Sequence, residues 1–296
     1  MTIPRTGLPA AGTLYVVATP IGNLSDLSPR AADTLKTCDL IAAEDTRHTG
    51  ILLKHFQIST PQMSLHEHNE SARAAAIVAL LREGKSVALV SDAGTPAISD
   101  PGFELVRAVA ATGMNVVAIP GPCAAIAALS IGALPTDRFC FEGFLPTRSA
   151  ARLSRLKSLA AEPRTLVIYE SPHRVRETLE DCLRAFGEAR AATVVREATK
   201  LHETTYRGSL RELLDKSSTD VDFSRGEIVL IIGGASPVES GDDDLEARSR
   251  LDKALTALMA ELPLKQAARL AAQITGARDN ESYKRALFLK EQSASQ

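Results

Sequence analysis

Three clusters of polar residues follow short apolar runs, where a folded chain can put them to chemical use. The first closes the stretch Val87–Gly102, VALVSDAGTPAISDPG. Asp92, Thr95 and Ser99, with the backbone amides of a loop shaped by Gly94 and Pro96, can hold a polar ligand. The density of turn-forming residues there exceeds what a plain connection needs. The second cluster, Glu44-Asp45-Thr46-Arg47-His48, follows Leu40-Ile41-Ala42-Ala43 and groups charges at a strand's end. The third is His66-Glu67-His68-Asn69-Glu70, after Met63-Ser64-Leu65. On a strand His66 and His68 share a face, as two metal ligands would. No second ligand cluster accompanies them, and a metal is not expected.

The elements that must position these residues alternate. Apolar runs at 13–18, 40–43, 87–91 and 116–119 read as strands, and helices are expected over 29–37, 46–56, 71–83 and 101–112. Ser28-Pro29 supplies an N-cap with proline at the first helical position, and Gly113 a C-terminal stop. A second series starts near 137, with strands at 139–144, 165–169, 192–196, 204–208 and 227–232. This is an α/β pattern, and it predicts parallel or mostly parallel sheets with helices on both faces. The loops TPIGN, AEDTR, SDAGTPAISDPG, PGPCA, YESPHR and REATK then gather at strand ends. Ligands bind at such edges, and two such sheets facing each other would enclose a zwitterionic, partly aromatic ligand. Between 148 and 157 lies a basic amphipathic helix carrying Arg148, Arg152, Arg155 and Lys157. Residues 1–11 read as a loose arm and 233–244 as a linker. Beyond the linker, helices at 245–261, 263–275 and 281–291 end in a pair hinged at Gly276 that resembles a helix-turn-helix. From Pro263 to Lys290 six Lys/Arg face two Asp/Glu, an excess that suits contact with RNA.

Composition narrows the class. The 296 residues suffice for two domains and a small appendage. A formal charge of −2 supplies no global field toward nucleic acid or membrane, so a polyanion must be met by a local basic patch. Cys38, Cys123, Cys140 and Cys182 form no paired motif and read as reduced thiols of a cytoplasmic protein. The start of the chain lacks the apolar core of a signal peptide, and Val116–Leu134 is too broken by proline and glycine to span a membrane. No GxGxxG follows a strand, and Gly84-Lys85-Ser86 enters a strand where a P-loop would leave one. GxSxG and HExxH are absent.

Taken together, TPIGNL, AEDTR, SDAGTPAISDPG, PGPCA, GFLP and YESPHR resemble the tetrapyrrole methylase superfamily, in its ribosomal RNA small subunit methyltransferase I branch. The resemblance runs from about Gly12 to Gly234, and LPLKQAARLAAQITG…SYKRAL resembles the small terminal domain of that branch. It implies two α/β domains, 12–122 and 123–236, with the cofactor cleft between them, and a helical module over 245–291. It implies a homodimer that transfers a methyl group from S-adenosylmethionine (AdoMet) to the ribose 2′-hydroxyl of cytidine 1402 in 16S rRNA of the small ribosomal subunit. Carried over by motif, Pro20, Asp92, Ala93, Gly94, Thr95 and Ile98 would hold the cofactor from the first domain. Cys123, Ala124, Glu170 and Ala198 would hold it from the second. The implied reaction needs a group that removes the hydroxyl proton. Asp45 and Glu44 are the first candidates, with Arg47 anchoring phosphate or orienting the carboxylate. The same three residues also suit a plain ion pair and helix N-cap. His66 is a further candidate base, and His68 and Asn69 are candidate cytidine contacts. His173, Arg174, Arg196, Lys200 and the 148–157 helix are candidate guides for the RNA backbone. The alternatives are a tetrapyrrole methyltransferase of the same fold and a non-catalytic, ribosome-associated RNA-binding factor.

Overall fold

The computed structural model describes residues 12–66, 68–235 and 242–294. Glu67, the expected N-terminal arm and residues 236–241 of the expected linker lie outside them. The chain divides into two compact units between Gly234 and Ala235.

The first unit begins with five strands, β1 (Thr13–Val17), β2 (Leu40–Ala43), β3 (Gln62–Ser64), β4 (Val87–Val90) and β5 (Asn115–Ile119). They form one parallel sheet in the order β3-β2-β4-β1-β5. All four residues of β4 are buried, because this strand is covered on both faces and has neighbours on both edges. The connecting helices are α1 (Pro29–Thr37), α2 (Thr46–His55), α3 (Glu70–Arg82) and α4 (Phe103–Ala111). Ser28 caps α1 by accepting the Ala31 amide, with Pro29 at its first turn. One side of the sheet packs on Leu35, Leu53 and Ile58, the other on Ile77, Leu81 and Leu105.

A helix α5 (Ala124–Ile131) leads to the second sheet and packs on it through Ala125, Ala128 and Leu129 against Val167, Val195 and Ile231. That sheet holds β6 (Phe139–Phe144), β7 (Thr165–Glu170), β8 (Ala191–Arg196), β9 (Thr204–Ser209) and β10 (Ile228–Ile232) in the order β6-β7-β10-β8-β9. Only β6 and β7 are parallel; β10 lies antiparallel between β7 and β8, and β8 pairs antiparallel with β9. The expectation of a mostly parallel sheet therefore fails here. The connection 197–203 is too short for a parallel crossover, so β8 and β9 must form a hairpin. Helices α6 (Ser149–Ser158), α7 (Val175–Phe186) and α8 (Leu210–Thr219) cover the far face, around a buried Phe223.

Helix α6 also departs from its reading as a basic RNA-facing helix. Arg152 is 1% exposed, and its Nε donates to Asp181 Oδ2 at 2.8 Å on α7. Arg155 forks onto Glu142 at 2.7 and 3.0 Å. Two of the four cations read from the sequence thus tie α6 to its neighbours, while Arg148 and Lys157 are exposed.

The second unit comprises α9 (Asp242–Met259), α10 (Leu264–Thr275) and α11 (Asp279–Ala294). Leu251, Leu255, Ala268, Ala271 and Ala286 form its core. Gly276 ends α10, and Asp279 is the first residue of α11. Among the described residues no helix is long and apolar enough to cross a membrane.

Candidate active site

Three loops at the carboxyl edge of the first sheet are tied into one wall. Thr19 and Gly94 exchange backbone hydrogen bonds at 2.9 and 3.1 Å, which joins TPIGN to SDAGTP. Thr95 Oγ1 donates to the Pro122 carbonyl at 3.0 Å, which joins SDAGTP to PGPCA. The far end of the Asp-Gly-Pro loop is held from below. Glu70, buried at the start of α3, accepts the amides of Gly102 and Leu105, both at 3.0 Å and both on Oε1. These amides open α4 and have no partner within their own helix. Gly102 turns the chain there with φ of 130°, and a Cβ would stand 2.8 Å from Leu89 Cδ2.

The opposing wall comes from the second sheet. Tyr169 at the end of β7 accepts the Ala125 amide at 3.1 Å, and its ring meets Phe141 and Phe144 edge to face. Burial pushes the Tyr169 hydroxyl well above its ordinary range. The loop after β8 reaches back to the first sheet: the Lys200 stem lies over Gly22, where a Cβ would stand 2.3 Å from Lys200 Cγ. Both walls carry the same backbone signature. Ala97 and Ser99 flank Ile98 with positive φ, and Glu197 and Thr199 flank Ala198 likewise. Left-handed conformations in non-glycine residues cost energy and gather where function needs them.

The walls enclose a cavity of about 330 Å³, within the range of roughly 300–1,000 Å³ common for small-molecule sites. Ala93, Gly94, Thr95 and Ile98 line it from the first sheet's loops. Cys123, Ala124, Glu170 and Ala198 line it from the other side. Pro20 does not line it; the neighbouring Ile21 does. Asp92 does not either, because its Oδ1 accepts the Asp45 amide at 3.0 Å and so splices two strand ends together.

The charged candidates lie outside the lining. Asp45 caps α2 through the Arg47 amide at 2.8 Å, and the Arg47 guanidinium forks onto the same carboxylate at 2.6 and 3.1 Å. That fork holds the Asp45 carboxyl far below the usual carboxylate range, which suits a cap and not a base. Glu44 accepts the Asp92 amide at 3.3 Å; burial, with Asp92 and Asp45 nearby, pushes its carboxyl up. His66 and Asn69 bond to each other, the His66 amide donating to Asn69 Oδ1 at 2.9 Å. His68 and His173 are exposed.

The cations assigned to RNA are already engaged. Arg174 donates to the carbonyls of Leu145 and Pro146 at 2.9 and 3.2 Å. Arg196 is buried and donates to the carbonyls of Arg225 and His202. Lys200 pairs with Glu197 at 2.9 Å and Glu227 at 3.1 Å. Each is held by a neighbouring carbonyl or carboxylate that sequence spacing does not reveal.

Sequence reasoning missed Asp100, Tyr169 and Phe144, which all line the cavity. Asp100 lay inside the motif singled out, and the two aromatics ended recognised strands, so a signal existed for each. Burial, with a smaller push from Glu44 and Asp92, raises the Asp100 carboxyl to about 6 against a hydrogen bond from Ser91. The site thus offers apolar and aromatic walls, backbone groups on strained loops, and a carboxyl poised to take a proton near neutrality. Among the described residues, no three His, Cys, Asp or Glu side chains are grouped to hold a metal ion.

Residues 13–214 match the family model "Tetrapyrrole (Corrin/Porphyrin) Methylases", and residues 244–290 match the RsmI C-terminal HTH domain. The chain is 51% identical over 276 residues to a ribosomal RNA small subunit methyltransferase I of Escherichia coli O157:H7, covering 93% of this chain and 95% of that one. Solved structures share the fold at lower identity. A cobalt precorrin-4 methyltransferase of cobalamin biosynthesis superposes with a TM-score of 0.57 at 19% identity, over 77% of this chain and 98% of that chain. A uroporphyrin-III C-methyltransferase from Thermus thermophilus, complexed with S-adenosylhomocysteine, superposes with a TM-score of 0.53 at 19% identity, over 75% of this chain and 97% of that chain. With its α/β unit and its terminal module both matched, the chain belongs to the tetrapyrrole methylase family, in the ribosomal RNA small subunit methyltransferase I branch.

Proposed function

We propose that this protein is an rRNA methyltransferase that moves the methyl group of AdoMet to the ribose 2′-hydroxyl of cytidine 1402 in 16S rRNA. It works as a homodimer on the small ribosomal subunit. The observation that carries the reading is the length of the likeness. The match to the E. coli relative covers 93% of this chain, whereas the tetrapyrrole-type structures cover 75–77% of it while being nearly complete themselves. Residues 244–290, matched by the RsmI C-terminal HTH domain, form a helical module that a small porphyrinoid substrate does not require.

The cavity fits the cofactor. Its residues are small where a nucleoside must enter (Ala93, Gly94, Cys123, Ala124, Ala198), and its loops present backbone groups on a rigid frame. When bound, AdoMet supplies a methyl group on a positively charged sulfur. Residues 93–95 would hold it through backbone groups, with Cys123 and Ala124 against its other side. Thr95 and Glu70 fix the first wall and Tyr169 ties the second to the start of α5, so that positioning does much of the catalytic work. The exposed His68 and His173, with Asn69, remain candidates to meet the RNA outside the cavity.

The test is methyl transfer from labelled AdoMet to small ribosomal subunits prepared from cells lacking this protein. Label on one cytidine, resistant to alkali as a 2′-O-methyl group is, is the expected result. AdoMet binding without label on subunits or free rRNA would refute the reading and point to a tetrapyrrole acceptor.

A further inference from the structure

We propose that Asp100, and not Asp45 or Glu44, is the catalytic residue that accepts the proton of the ribose hydroxyl. This rests on the reading above and deepens it. Three carboxylates line the cavity: Asp100, Glu170 and Glu227. Glu170 is 2% exposed, and both its oxygens are occupied, by the Ser171 amide at 2.8 Å and the Thr178 hydroxyl at 2.6 Å, with Arg174 Nε at 3.4 Å. Glu227 is largely in solvent and paired to Lys200 at 3.1 Å. Among the described residues, Asp100 alone of the three has no cation paired to it. Its polar neighbour Ser91 is a neutral hydroxyl, which donates to the Ala93 carbonyl at 3.4 Å.

The surroundings support the same role. Carboxylates of Glu44 at the end of β2 and Asp92 at the end of β4 face Asp100, as does the Tyr169 hydroxyl on β7. The two carboxylates disfavour its charged form and so favour uptake of a proton, while the Tyr169 hydroxyl, itself pushed up, stays neutral beside it. The loop is also over-determined on both sides of the residue. Ser99 is held left-handed, Gly143 of β6 packs 3.1 Å from Ser99 Oγ when a Cβ is built on it, and Glu70 fixes Gly102. A catalytic group needs such a frame.

The step balances. The 2′-oxygen forms a bond to the methyl carbon, the carbon–sulfur bond breaks with its electron pair left on sulfur, and the hydroxyl proton passes to an Asp100 oxygen. The positive charge of the sulfonium leaves as that proton. A base mired in an ion pair, as Asp45 is with Arg47, would have to break a two-pronged fork to do the same.

Wild type, Asp100→Asn, Asp100→Glu and Asp45→Asn are compared on small subunits, with AdoMet affinity measured separately by calorimetry. General-base loss predicts a fall in kcat of roughly 100- to 10,000-fold for Asp100→Asn, with AdoMet affinity within about threefold of wild type and partial recovery in Asp100→Glu. The wild-type rate should rise with pH through about 6 and level off above it, and that inflection should vanish in Asp100→Asn. Unimpaired AdoMet binding also shows that the variant is folded. The proposal is overturned if Asp100→Asn keeps a third of wild-type kcat, if its loss is confined to AdoMet affinity, or if Asp45→Asn loses as much or more. Wild type that methylates no RNA would instead defeat the parent reading, and the assignment of Asp100 with it.

Discussion

Glu70 is where the architecture of the first wall can be tested most directly. Its buried Oε1 accepts two amides at the start of α4, at 3.0 Å each. In Glu70→Ala both amides lose their partner away from water, at about 1–3 kcal/mol each. The missing side chain adds a packing defect, so a loss of roughly 3–5 kcal/mol is expected. Glu70→Gln keeps an acceptor oxygen and loses only the assistance of charge, about 1–2 kcal/mol. For a unit of this size each kcal/mol moves the midpoint by roughly 2–4 °C. Scanning calorimetry of the full chain should therefore place the α/β transition of Glu70→Ala about 6–20 °C below wild type, with Glu70→Gln between them. AdoMet affinity should fall alongside, because the same carboxylate anchors the loop that lines the cavity. If Glu70 instead served the RNA as part of the His66–Glu70 cluster, Glu70→Ala would raise the KM for subunits and leave the midpoint in place. A shift below about 1 kcal/mol would refute the capping argument.

Two further outcomes follow from the cavity. Asp100 has a raised carboxyl, near 6 against an ordinary 3.8, so the native state binds its proton more tightly than the unfolded chain does. The stability this gives is complete below about pH 4 and is lost as pH rises through about 6. The full difference is about 3 kcal/mol, which partial solvent access reduces to roughly 1–2 kcal/mol. Asp100→Asn should thus melt higher than wild type at about pH 7.5 and with it at about pH 4; a lower midpoint at the higher pH would make Asp100 a structural partner. Phe144, 58% exposed at the cavity beside Tyr169, offers a face for a splayed base. Stacking of that kind is worth about 1–3 kcal/mol, so Phe144→Ala should raise the KM for subunits by roughly 5- to 100-fold, a larger change than in AdoMet affinity. An unchanged KM would remove Phe144 from the RNA surface.

Strand and helix positions other than the short β3 were legible in the sequence because the apolar runs are bounded by their own turn residues, as Val87–Val90 is by Gly84 and Gly94. The order of strands was not. Nothing local in Ile228–Ile232 says that it enters antiparallel between β7 and β8. Ala93, Gly94 and Cys123 could be placed at the cavity because their motifs are contiguous. The charged residues misled for a physical reason: a charge in sequence carries no record of its partner. Arg152 and Arg196 look like solvent-facing cations, yet Asp181 and two distant carbonyls hold them inside. Asp45 looked catalytic because its neighbours are polar, and those neighbours are what neutralise it.

The pairing of left-handed residues ties these observations into one account. Ile98 and Ala198 are each bracketed by two strained positions, on loops that come from different sheets with different strand directions. Neither loop could keep that shape by local preference, since Ala, Ser, Glu and Thr all favour negative φ. The first is held from outside by Glu70 and Gly143, and the second by its own Lys200–Glu197 pair together with Glu227 from the neighbouring β10 end. A cleft assembled this way is rigid before any ligand arrives, so little ordering remains to be done on binding. The raised carboxyl of Asp100 belongs to the same pattern. The partial burial that raises it costs stability at neutral pH, and the framed loop keeps the carboxyl on the cavity, where a base is needed.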